Sequence, residues 1–105
     1  MDLHQLDTAL ADFAVLSPTH MPLHFVQIFL AVGEKGQCTF QELMEDLNLT
    51  NSAISRSVQA LGETHRKGSP GFDLVETFKD PAEGRRFLVR LSTKGKALYR
   101  QLQSI

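Results

Sequence analysis

Residues 39–61, TFQELMEDLNLTNSAISRSVQAL, restrict the possible folds more than any other stretch of the chain. Thr39 stands three residues before Glu42, the spacing of a capping box, in which the Thr hydroxyl and the Glu carboxylate each satisfy an orphan backbone N–H. Phe40, Leu43, Met44 and Leu47 then give the helix one apolar face. The helix stops near Asn48, a residue that tolerates the left-handed backbone of a turn better than any except Gly. Leu49 is placed to plug the turn into a core. Thr50 is a good N-cap for a second helix, whose Ile54, Val58 and Leu61 recur at helical spacing. Two short helices joined by so tight a turn make a helix-turn-helix.

The second helix turns Asn51, Ser52, Ser55, Arg56 and Gln59 outward. Small polar side chains let a helix backbone approach the base edges of a major groove. A plain solvated face would favour Glu and Lys for their helix propensity. Residues 51–61 contain neither.

The formal charge of the 105-residue chain is −1, which hides a split. Residues 1–46 hold seven acids and one base, a balance of −6. Residues 47–105 hold five acids and ten bases, a balance of +5. A polyanion responds to the field of the face it meets, so near-neutrality does not exclude one as a partner.

The remaining text supplies the other elements. In residues 2–16, Leu3, Leu6, Leu10 and Phe13 predict one apolar stripe on a helix. Pro18 and Pro22 punctuate the chain. Residues 22–35, PLHFVQIFLAVGEK, are apolar on most sides and predict a central helix, ended by Gly36. Residues 63–71, ETHRKGSPG, read as a loop. FDLVETFKD and RRFLVRL read as two strands joined by Asp80-Pro81-Ala82-Glu83-Gly84, a type I turn closed through a left-handed Gly. Alternation puts Phe87, Val89 and Leu91 on the core face, with Arg86, Leu88 and Arg90 opposite. Ser92 or Thr93 caps a last helix with Leu98, Leu102 and Ile105 as its stripe. Gly95 in its first turn weakens it by about 1 kcal/mol.

This order of elements resembles a winged helix-turn-helix domain, and most closely the MarR family of bacterial transcriptional regulators. The resemblance spans roughly residues 22–99. It rests on LMEDLNLTNSAISRSVQAL and, further on, DPAEGRRFLVRLSTKGKAL. The family's wing carries Asp-x-Arg, an apolar strand and a Leu-Thr-x-x-Gly helix start. Here those positions read Glu83-Gly84-Arg85, Phe87 to Val89, and Leu91-Ser92-Thr93-Lys94-Gly95. The chain departs from the family in its wing acid, in a longer loop after the second helix, and in short terminal segments.

The fold class expected is therefore α+β, mostly α, one winged helix domain with a two-stranded β-hairpin wing. Its helix-turn-helix covers 39–66 and its wing 72–91. The resemblance implies sequence-specific binding of double-stranded DNA by a repressor-like transcriptional regulator of bacterial or phage type. Asn51, Ser52, Ser55 and Arg56 would read bases. Thr50, Gln59, Arg66, Lys79, Arg85 and Arg86 would hold the backbone or the minor groove, Arg85 entering the latter where the potential is most negative. It also implies a homodimer through 2–16 and 93–105. With those segments short, no small-molecule effector is expected.

Other chemistry finds little support. His20 and His24 are four apart, but Pro22 lies between them and no Cys or carboxylate completes a metal site. There is no phosphate-binding Gly loop and no nucleophile elbow, so neither an enzyme nor a cofactor is expected. No apolar run approaches the ~20 residues of a membrane span. The lone Cys38 cannot form an internal disulfide, which points to a reducing cytoplasm and a small buried hydrophobe. The rival function is a winged-helix adaptor that uses its acidic N-terminal half on a basic partner. A replication-origin or plasmid-partition binder is a further alternative that the sequence does not separate from a transcription factor.

Overall fold

The computed structural model describes residues 1–16, 20–62 and 71–105. Five helices and three strands follow one another as α1 (Leu3–Ala14), α2 (Leu23–Lys35), β1 (Gln37–Thr39), α3 (Phe40–Leu47), α4 (Asn51–Leu61), β2 (Val75–Lys79), β3 (Phe87–Leu91) and α5 (Thr93–Gln103). This is a mostly helical winged-helix fold, with one addition to the expected hairpin. The sheet has three antiparallel strands in the order β1-β3-β2. β1 pairs Cys38 with Val89 and Thr39 with Leu88. Three residues are too few to show strand periodicity, and the pairing partner lies some fifty positions away, so local pattern carries no trace of it.

The caps explain why the helices begin and end where they do. Thr39 Oγ1 accepts from Glu42 N at 3.1 Å while Glu42 Oε1 accepts from Thr39 N at 2.9 Å, closing the box at the start of α3. Asn48 takes φ 54°, ψ 47°, and its N–H donates to the Met44 carbonyl. Thr50 Oγ1 then accepts from Ala53 N to open α4. Gly36 ends α2 at φ 84°, a backbone open only to glycine without strain. Ser92, rather than Thr93, caps α5.

α2 is the central helix, meeting α3, α4, α5 and the sheet. Its Ile28, Phe29 and Val32 are fully buried with Leu43, Ile54, Leu61, Leu74, Val75 and Val89. Cys38 is also buried, and burial pushes its thiol up to about 11. Leu49 packs against this core, as do Leu98 and Leu102 of α5. α5 crosses α2 closely because Gly33 offers no Cβ: the Tyr99 ring occupies that space. α5 starts equally close to the chain before β2. A Cβ on Gly95 would meet the Leu74 carbonyl.

Three local expectations change. Along α1, Ala9 and Phe13 are buried, and Phe13 meets Phe29 edge-on at 5.6 Å. Leu3, Leu6 and Leu10 do not join them; they are 83%, 42% and 43% exposed. The packed face follows Ala9 and Phe13, four apart, with Leu16 beyond, and the leucines stand beside it. On β3, Phe87 is 48% exposed although it shares a face with buried Val89 and Leu91, because the helical layer ends before it. Leu88, on the opposite face, is buried between its register partners Thr39 and Phe78. Gly84 is not left-handed; Gly36 is the described glycine with positive φ.

Candidate nucleic-acid interface

The exposed side of α4 is an open trough of about 690 Å³ lined by Asn51, Ser52, Ser55, Arg56 and Gln59. These are five of the residues singled out by sequence, and the helix places them together. The helix is short-chained on this side, so nothing longer than Arg56 and Gln59 stands between its backbone and a partner. Arg56 folds back along the helix, its Nε donating to the Ser52 carbonyl at 3.3 Å. Thr50 is exposed, but its hydroxyl is committed to the cap. Ser57 is buried and donates to Ala53 O at 2.7 Å, which removes it from the surface.

Arg66 lies outside the described residues, as does most of the 63–71 loop. The described residues that flank it, up to Gly62 and from Gly71 onward, lie side by side. Phe72 N donates to Ala60 O at 3.0 Å, Asp73 N to Gly62 O at 2.9 Å and Leu74 N to Leu61 O at 2.8 Å. Gly71 sits so close to Gly62 that a Cβ would strike its carbonyl. The chain just before and just after that loop therefore meets at one point, and β2 follows directly against the end of α4.

The wing is held by a lock that sequence reasoning missed. Asp80 Oδ1 accepts from Ala82 N at 2.9 Å and Oδ2 from Arg86 Nε at 2.7 Å. Two successive turns follow, with Glu83 N donating to Asp80 O and Arg86 N to Glu83 O. Asp80 N donates to Arg86 O at 3.0 Å and closes the loop. The Ala82 N–H, and then the Arg86 guanidinium, hold the Asp80 carboxyl below the usual carboxylate range. The acid opening the turn was legible as a turn residue; its spacing of six from Arg86 was the available signal for the pair.

Arg86 thus belongs to the wing's own structure through Asp80, with its side chain 54% exposed. Arg85, in the second turn, is exposed, and among the described residues no ion pair or side-chain hydrogen bond engages it. Lys79 ends β2 in the same condition. On the outer sheet face Arg90 Nε donates to Glu76 Oε1 at 2.6 Å, and its guanidinium lies 4.2 Å from the Phe78 ring centroid. That pair stiffens the ribbon on the side away from the helices. A cleft of about 330 Å³ separates α4 from β2, with Gln59 on one wall and Thr77 on the other.

Among the described residues there is no cluster of three or more His, Cys, Asp or Glu able to hold a metal, and no helix is long and apolar enough to cross a membrane.

Solved structures share this architecture. The Escherichia coli MarR bound to operator DNA, a cysteine mutant, superposes with a TM-score of 0.65 at 22% identity, covering 96% of this chain and 67% of that one. RV1404 of Mycobacterium tuberculosis gives 0.71 at 18% identity, covering 95% and 62%. BpsR of Bordetella bronchiseptica, whose DNA binding is regulated by 6-hydroxynicotinic acid, gives 0.61 at 18% identity, covering 96% and 72%. No protein-family model and no curated protein matches the chain. The fold is that of the MarR-type winged-helix regulators.

Proposed function

We propose that this chain binds double-stranded DNA sequence-specifically and regulates transcription as a homodimer. The observation that carries the reading is the α4 trough. It gathers Asn51, Ser52, Ser55, Arg56 and Gln59 on a helix without an acid, beside a stiff wing that presents Arg85 and Lys79. In this reading α4 enters the major groove, where Asn51, Ser52, Ser55 and Arg56 meet base edges. Arg56 first has to leave the Ser52 carbonyl, a weak bond to exchange for a bidentate one on guanine. Gln59 and Lys79 hold phosphates. Arg85 enters the minor groove, with Arg86 set beside it by Asp80. The exposed Leu3, Leu6 and Leu10 of α1 support a second copy as partner: leucines left outside their own domain are an apolar seam in want of cover.

The test is binding to random duplex DNA across a salt series, followed by selection of a preferred site. Affinity should fall linearly in log–log form with salt. Arg85→Ala should lower the slope by about 1 and weaken all sequences alike. Arg56→Ala should relax discrimination at one base pair, by about 1–3 kcal/mol. Absence of binding even at low salt removes the reading and leaves the acidic half as the working surface of an adaptor.

A further inference from the structure

Phe87 has no role in the folding of the core or in the reading above. Strand alternation places it on the same face as Val89 and Leu91, which are 0% and 6% exposed, yet Phe87 stands half outside. Its register partner across the ribbon is Lys79, and Arg85 and Arg86 precede it in the chain. A half-exposed aromatic ring therefore shares its face with Lys79, next to the turn that carries Arg85, while Arg86 on the opposite face is tied to Asp80. A Thr or Val would satisfy the same backbone pairing without presenting apolar area to water.

The face it occupies is the one that turns toward the helices. Val75, Thr77 and Lys79 of β2 alternate along it, and Thr77 shares the cleft wall opposite Gln59 of α4. Moving outward from that cleft, the surface passes from Gln59 and Thr77 to Lys79 and Phe87, and ends at Arg85 in the turn. The ring is also presented on a stiff support. Asp80 ties the turn to Arg86, and Arg90 ties the outer face through Glu76 and Phe78.

We infer that Phe87 is an apolar DNA contact of the wing, its ring packing on the deoxyribose and base wall of the minor groove beside Arg85. This rests on the DNA-binding reading and adds a partner feature that charge does not supply. Lys79, its register partner, brings a phosphate close beside the ring. The ring then excludes water from the sugar edge, and, like other apolar side chains set in a minor groove, it favours steps that widen or unstack easily. Such a residue makes the wing sensitive to groove shape, independent of base-edge hydrogen bonds.

The experiment compares wild type, Phe87→Thr, Phe87→Leu and Arg85→Ala on one random-sequence duplex across a salt series, with a thermal melt of each protein. Phe87→Thr should weaken binding about tenfold, with its salt slope unchanged, because no phosphate contact is lost. Phe87→Leu should keep most of the affinity, and all melts should match wild type because the ring lies outside the core. Arg85→Ala should lose slope. The inference fails if Phe87→Thr binds as wild type, if Phe87→Leu loses as much as Phe87→Thr, if the slope changes with Phe87, or if Phe87→Thr melts markedly lower. Wild type without salt-dependent binding overturns the DNA reading as well; any of the other outcomes leaves that reading standing and removes only the role of Phe87.

Discussion

Replacing Gly95 by alanine sets two physical effects against each other with opposite signs. By helix propensity alone, Ala in the first turn of α5 gains about 1 kcal/mol over Gly. The packing says otherwise. The new Cβ would overlap the Leu74 carbonyl oxygen and lie 2.9 Å from its carbonyl carbon and 3.3 Å from its Cα. These are backbone atoms, fixed from both sides. Leu74 N donates to Leu61 O at 2.8 Å and Leu74 O accepts from Ser92 N at 3.0 Å. Ser92 Oγ in turn donates to Asp73 O at 2.7 Å and accepts from Gly95 N at 2.9 Å. Relief requires the start of α5 to withdraw, which stretches both Ser92 bonds to residues 73 and 74. Overpacking costs about 1–3 kcal/mol, and each weakened hydrogen bond about 1 kcal/mol. Against the propensity gain, the net is a loss of roughly 3 kcal/mol, or about 15 °C in Tm for a domain of this size. Urea unfolding should show a lower midpoint with an unchanged slope. Gly84→Ala is the control, since nothing lies within 4 Å of its Cβ position and its backbone is not left-handed; it should stay within about 0.5 kcal/mol of wild type. A Gly95→Ala protein as stable as wild type, or more so, would refute the close approach.

Two further expectations concern the wing and α1. The Asp80 carboxyl is held below its ordinary value, so its contribution is fully present above the unfolded pKa of about 4 and is lost as pH falls through the lower folded value. Wild type should thus lose stability more steeply than Asp80→Asn below pH 4, and Asp80→Asn should be the less stable of the two at pH 7; parallel curves across that window would remove the lock. If α1 carries the proposed dimer seam, wild type should sediment as a dimer and the double change Leu6→Glu and Leu10→Glu as a monomer with the far-UV spectrum intact, because neither side chain enters the core; an association state unchanged by the substitutions would remove the α1 seam.

The helix-turn-helix was legible residue by residue because its signals are local. Thr39 and Glu42, Asn48, Thr50 and Ser92 act within three or four positions, and each sits where its chemistry predicts. What escaped was set by neighbours distant in sequence. Gly95 reads as a helix defect until Leu74 is placed against it. β1 exists through its pairing with β3. Phe87 obeys strand alternation, but the pattern does not reveal where the helical layer stops. Leu3, Leu6 and Leu10 form a true stripe, and period alone does not say which of two adjacent faces the domain covers. On the candidate interface, the α4 residues fell together as read. The division of labour between Arg85 and Arg86 did not, because it depends on Asp80 reaching across the turn.

Thr39 holds two posts at once. It is the last residue of β1, registered against Leu88 in the wing's inner strand, and it is the N-cap of α3, which leads by a single tight turn into α4. The ribbon and α4 are therefore joined through one residue like the jaws of a caliper through its hinge. That one residue couples the position of the wing's inner strand to the start of the helix-turn-helix. A duplex that engages both must bring its major and minor grooves to that gauge, and sequences that twist or narrow to it easily gain an advantage that no side chain on the jaws has to read.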